Sequence, residues 1–462
     1  MNLIRFTNPS RTEETSHRVI EGSLMRTAMF LLAILSISVI AADFQVRELE
    51  NGLTVIVSPD HISPVVTICV AVKTGATCET PETNGLAHFY EHMFFKGNGA
   101  LPDQTAYNRR LGELGILQNG TTSPEKVQYF ITLGSDRFSQ GLEFMFDAIT
   151  SPLFDMEEME REREVIMNEY QRGLSSPLHP MYIAREQVLC GTAPWRYSAI
   201  GVPEVIQAAA PQAMLDFQHK YYTPDNSALI IAGDVDYEDA FRLAEEQFSD
   251  WEYGGRSNYD SLPRLISIPD DTTVVLDSPS GVGYVSVVFE GPSISTDPSD
   301  SYPADVWGSY LSLMSREFYT DLVTNGPFIG VYGSYYTQRF APSITFGGMV
   351  PGERAEEALE MLLAEIDQLQ DPGYYDEEGI QLAKDELYRH RILAEETSYD
   401  VAVESIPFWW VVAGDLDYYA TYLDSLQAVE MSDIAEYIDE WITDRPRAAF
   451  MMMPLNDGEV EE

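Results

Sequence analysis

The sequence predicts an α+β chain of two lobes, each about 200 residues long. Three observations carry that reading. Strand-like and helix-like segments follow one another after residue 42, a break rich in Gly, Ser, Asn, Asp and Pro interrupts them at residues 252–264, and the same order of elements begins again beyond it. The expected division is a first lobe over 43–255, a linker over 256–270 and a second lobe over 271–462. With 45% hydrophobic residues among 462, the chain has material for sizeable cores, and wholesale disorder is excluded.

Taken in order, residues 1–24 are a polar, charged extension. Arg26 then precedes an uncharged run over 27–42 with an apolar heart at 29–35 and small residues Ala41 and Ala42 at its end, so residues 25–42 read as a signal peptide. The run falls short of the ~20 residues that span a bilayer, so export to a periplasm or the medium is expected, with no stable membrane anchor. Residues 44–57 alternate and turn at Asn51-Gly52, which with the apolar run at 65–72 predicts paired strands. Leu86, Phe89 and Met93 recur at helical spacing over 85–95, and 156–172 is a second, acidic helix. Residues 227–235 form a buried strand, followed by a helix at 239–248. Beyond the break come strands at 273–276 and 284–289, helices near 304–323, 353–369 and 377–396, and an acidic tail at 457–462.

Charge narrows the partners. Lys plus Arg number 28 against 74 Asp plus Glu, a formal net charge of -46, which repels phosphate backbones and anionic lipid heads. Nucleic acid and anionic membrane surfaces are therefore discarded. Only five basic residues are lysines (Lys73, Lys96, Lys126, Lys220, Lys384), and the acids are scattered along the chain, which reads as adaptation to salt that screens self-repulsion. Cys69, Cys78 and Cys190 are too few and too scattered for a disulfide framework or a cysteine zinc site, although one bridge is open to them. Cys69, inside the apolar run at 65–72, reads as a buried strand residue rather than a nucleophile.

Of seven histidines, two fall four apart in Ala87-His-Phe-Tyr-Glu-His-Met93. On a helix His88, Glu91 and His92 share a face, so two imidazoles can hold one cation with a carboxylate beside it. The order His-x-x-Glu-His is the inverzincin arrangement, whose third ligand comes from elsewhere, leaving Glu91 free as a general base. Candidates for that ligand lie in the acidic helix, where Glu162 and Glu169 are seven apart and share a face.

These segments, with Asn84-Gly-Leu-Ala87 before the motif and Met93-Phe-Phe-Lys-Gly97 after it, resemble the insulinase and pitrilysin family of zinc peptidases, most of all the short-chain branch that includes the mitochondrial processing peptidases. Leu114-Gly-Ile-Leu-Gln-Asn-Gly-Thr-Thr122, Gln128-Tyr-Phe130, Tyr221-Tyr-Thr-Pro-Asp-Asn-Ser227 and Ile230-Ile-Ala-Gly-Asp-Val235 follow in family order. The resemblance implies two homologous lobes, each a mostly antiparallel sheet packed with helices. It implies one zinc per chain on His88, His92 and Glu169, with Glu91 as base and Glu162 as assisting acid. Asn119 matches a position that touches substrate backbone, although Gly120 stands where the family usually has Ala. Unfolded peptides cleaved inside a closed chamber are the implied substrates, which makes the chain an exported zinc metalloendopeptidase.

One departure bears on partners. Family members bring an Arg and a Tyr over the zinc from a second half, and here Val323 stands where the Arg is expected while Tyr332 is displaced. The expectation is a heterodimer with a related subunit that supplies both, or a homodimer in which Arg316 or Arg339 substitutes. The alternative function is a noncatalytic scaffold or assembly subunit on the same fold.

Overall fold

The runs at 65–72 and 227–233 are apolar at nearly every position, as strands covered on both faces must be. The computed structural model describes residues 44–454 apart from 192, 194, 195, 197, 256, 279 and 280, so the expected signal segment and acidic tail lie outside the described residues. In the first half, β1 (Gln45–Glu48), β2 (Thr54–Pro59), β3 (Val65–Val72), β4 (Leu117–Thr122), β5 (Val127–Gly134) and β6 (Ser227–Gly233) form one sheet in the order β1-β2-β6-β3-β5-β4. Only β2 and β6 run parallel. The β1–β2 hairpin turns at Gly52, whose φ of 88° suits glycine.

In the second half, β7 (Thr272–Asp277), β8 (Val282–Glu290), β9 (Gly330–Tyr336), β10 (Ser343–Pro351) and β11 (Ala448–Met453) are ordered β7-β11-β8-β10-β9, again with a single parallel pair, β7 with β11. Matching β2 through β6 to β7 through β11 makes the two orders identical. The expectation of two mostly antiparallel sheets packed with helices therefore holds.

Helices occupy equivalent places. α1 (Leu86–Phe94) and α2 (Gln104–Leu114) lie between β3 and β4, while α3 (Phe138–Thr150), α4 (Met156–Leu174), α5 (His179–Cys190), α6 (Pro203–Ala208) and α7 (Pro211–Tyr221) lie between β5 and β6, and α8 (Tyr237–Phe248) follows. In the second half α9 (Pro298–Leu311) precedes β9, and α10 (Ala355–Gln368), α11 (Glu377–Leu393), α12 (Leu416–Ala428) and α13 (Met431–Trp441) precede β11. The single helix expected at 304–323 is two pieces. Backbone bonds from Leu313 to Tyr310 and from Arg316 to Leu313 tighten the chain into turns after Leu311, and helix resumes at Glu317.

Each half also covers the other's sheet. α5 packs on β7 and β11, and residues 400–405 pack on β3 and β6. There Gln128 Nε2 donates to the Val403 carbonyl at 3.1 Å, Thr67 and Ser398 hydroxyls lie 3.2 Å apart, and Cys69 is sealed in. The buried Glu125 carboxylate accepts backbone N–H from Arg339 at 2.9 Å and Phe340 at 2.8 Å, tying the β4–β5 turn to the second half. The connecting segment is fastened too, with Tyr259 buried and Ser267 N–H donating to the Leu189 carbonyl at 3.0 Å. All three cysteines are free and buried. No helix among the described residues is long and apolar enough to cross a membrane.

Candidate metal centre

α1 starts after Gly85, held at a φ of 98° that favours glycine. In place of a side-chain cap at that residue, the buried Glu79 carboxylate accepts from Gly85 N–H at 2.7 Å, Ala87 N–H at 2.8 Å and Asn84 Nδ2 at 2.9 Å. Burial pushes the Glu79 carboxyl up to about 7 in spite of these bonds. Leu86, Phe89, Tyr90 and Met93 are buried, which fixes the rotation of α1 and turns His88 and His92 to α4.

His88, His92 and Glu169 each present one ligand atom within 4.8 Å of the others. Both Nε2 atoms lie 3.6 Å from Glu169 Oε2, and the two rings stand at 90° with centroids 4.8 Å apart. Behind them, His92 Nδ1 is 3.0 Å from Glu162 Oε2, and Lys96 Nζ donates to the other oxygen at 2.7 Å. Burial pushes Glu162 up, but the bonds from His92 and Lys96 outweigh it and hold the carboxyl below its usual range. His88 Nδ1 is buried with no hydrogen-bond partner among the described residues. Burial first, and His92 second, pull His88 down to about 4, so its imidazole is neutral at neutral pH and free to donate a lone pair.

Glu91 lies beside this group. Thr122, at the end of β4, donates its hydroxyl to Glu91 Oε2 at 2.5 Å. Burial raises the Glu91 carboxyl above its usual range, a shift the Thr122 bond opposes. Gly120 makes room for it, since a Cβ there would stand 3.1 Å from Glu91 Cγ.

The structure thus brings together His88, Glu91, His92, Glu162 and Glu169. Asn119 is not in that group. It is exposed on β4, an edge strand, with its Oδ1 accepting from Gly120 N–H at 3.0 Å. Arg316 pairs with Asp376 at 3.0 Å and Arg339 with Asp260 at 3.0 Å, Val323 packs on the second core, and the Tyr332 hydroxyl lies 3.0 Å from that of Tyr284. Sequence reasoning missed Thr122, Lys96 and Glu79. The first two act across 31 and 66 residues of chain, on Glu91 and Glu162, where local periodicity carries no signal.

Comparison with known proteins adds the following. Residues 54–186 match the family described as Insulinase (Peptidase family M16), and residues 209–387 match the Peptidase M16 inactive domain. A Rickettsia bellii protein named an uncharacterised zinc protease is 29% identical over 221 residues, 47% of this chain and 52% of its own length. The mitochondrial-processing peptidase subunit beta of Lentinula edodes is 27% identical over 277 residues, 59% of this chain and 58% of its own. The chain thus spans about half the length of the curated relatives it matches. A protease from Helicobacter pylori shares the fold with a TM-score of 0.80 at 21% identity, covering 90% of this chain and 100% of the other.

Proposed function

Since the chain belongs to peptidase family M16, the insulinase family, we propose that it is a zinc-dependent metalloendopeptidase acting on unfolded peptides. One observation carries the reading: two imidazole Nε2 atoms converge on one carboxylate oxygen, with a second, desolvated carboxylate on the same helix. Two histidines and a glutamate are the donor set of a catalytic zinc that keeps a fourth position open. Bound there, zinc would lower the pKa of its water toward about 7 and polarise the scissile carbonyl.

His88, His92 and Glu169 would be the ligands. Glu162 would orient His92 by accepting from Nδ1, fixing the ring so that Nε2 faces the metal. Glu91 would take the proton of the attacking water and hand it to the leaving amine, held for that task by Thr122. Extended substrate would add along the edge of β4, where Asn119 is exposed.

The Arg and Tyr that the resemblance calls for would come from a second, related subunit. Arg316 and Arg339 are engaged elsewhere, and the Lentinula relative is by name a subunit. Export through residues 25–42 completes the reading. Cleavage of a quenched, unfolded peptide tests it. Turnover abolished by a chelator and restored by zinc is expected, from the chain alone or once a related subunit is added. Chelator-insensitive turnover, or none from zinc-loaded chain with any related subunit, overturns it.

A further inference from the structure

The second half holds a cavity of about 280 Å³ that the proposed chemistry does not use. Its lining includes Asp305 of α9, Arg391 of α11, and Phe408, Trp409, Tyr418 and Tyr422. His390 also lines it, and its charged groups are not all paired. Arg391 is closed into a pair with Glu395, which also accepts from the Tyr419 hydroxyl, and its guanidinium lies 4.5 Å over the Tyr419 ring and 5.6 Å from the centre of one Trp409 face. Asp305, by contrast, has no Lys, Arg or His within ion-pair distance among the described residues. Its one hydrogen bond comes from the Tyr422 hydroxyl to Oδ2 at 2.5 Å. The aromatic walls are braced: Tyr418 stacks on Tyr302 with centroids 5.1 Å apart, and Trp409 sits 5.3 Å from Tyr418 and 5.0 Å from Tyr422.

A carboxylate packed in protein without a cation is costly, and aromatic faces attract cations. We propose that this cavity binds an alkylammonium ion, a free amine or the lysine side chain of a peptide, with Asp305 as counter-ion and Trp409, Tyr418 and Tyr422 as its walls. The pairing that Arg391 finds in Glu395 would be completed for Asp305 by the ligand. Burial, the larger influence, pushes the Asp305 carboxyl up to about 7 against the pull of the Tyr422 bond, as expected of an acid that lacks its cation. The site is independent of the metal centre and of the peptidase reading.

Calorimetric titration of the full chain at pH 8 and fixed sodium chloride tests the proposal. The ligands are n-butylammonium and Gly-Lys-Gly acetylated and amidated at its ends, with n-butanol and the equally blocked Gly-norleucine-Gly as counterparts that carry no ammonium. Saturable binding of an ammonium ligand and none of its neutral counterpart is expected. Asp305→Asn, which can keep the Tyr422 bond, should weaken binding at least about tenfold, and Trp409→Leu severalfold. Butylammonium binding alone identifies a free amine as the occupant, and stronger Gly-Lys-Gly binding identifies a peptide side chain. No saturable binding of either ammonium by folded wild-type chain, equal binding of the neutral ligands, or unchanged affinity in a folded Asp305→Asn protein overturns the proposal.

Discussion

α1 and α4 in the first half, and α9 and α11 in the second, hold the same places in the same strand plan, yet they meet differently. Between α1 and α4 stand two histidines, two glutamates and Lys96. Where Tyr310 and Ser309 of α9 meet Gly379 and Ala383 of α11 the space is filled. Tyr310 lies so close to Gly379 that a Cβ there would be 2.4 Å from its ring, Ser309 donates to the Ala383 carbonyl at 3.1 Å, and Trp307 is wholly buried. One frame serves both halves, and what separates a site from a core is which side chains occupy one helix pair. The polar pair is held from outside by Glu79 at its helix start and Thr122 on β4, whereas the apolar pair holds itself by packing.

Four substitutions test that contrast. The largest effect belongs to Glu91→Gln, which should lower kcat for peptide hydrolysis roughly 100- to 10,000-fold while zinc content stays normal. Near wild-type turnover would remove Glu91 from the chemistry. Next, Glu162→Ala should cost about 10- to 100-fold in zinc affinity by releasing His92 Nδ1, measured by competition with a chromogenic chelator. An unchanged affinity would mean that the carboxylate does not orient the ligand.

In the second half, Gly379→Ala should destabilise the fold by about 1–3 kcal/mol through overpacking against Tyr310. Denaturant unfolding would show it, with zinc content unaffected, and a loss of zinc would show that the halves are not separable in this way. The smallest effect is that of pH on Glu79. Its folded pKa of about 7 exceeds the ordinary 4.5, so the folded chain holds an extra proton between these values and loses stability as pH rises through them. Melting temperatures of wild type and Glu79→Gln should therefore diverge across that window, to the disadvantage of wild type, and a constant difference would contradict it.

Much of this was legible in the sequence because it is local. His88, Glu91 and His92 declare themselves by helical spacing and the hairpin at Asn51-Gly52 by its turn residues, whereas spacing made Glu162 and Glu169 only candidates and the resemblance gave them their roles. The strand runs at 65–72 and 227–233 announced the centre of the first sheet. What escaped is long-range. The exchange of α5 and residues 400–405 between sheets, the Glu125 clamp and the Thr122 hydroxyl on Glu91 join segments whose own patterns are ordinary. The break at 312–316 escaped for the opposite reason, since its apolar spacing continues that of α9 while its backbone bonds turn away.

If His88, His92 and Glu169 hold the zinc as proposed, removing any one of them releases it. Zinc stoichiometry by elemental mass spectrometry, on purified wild type, His88→Ala, His92→Ala and Glu169→Ala, tests this most directly. One zinc per wild-type chain and loss from each variant is the predicted result. A wild type that binds no zinc, or variants that keep a full complement, would contradict it.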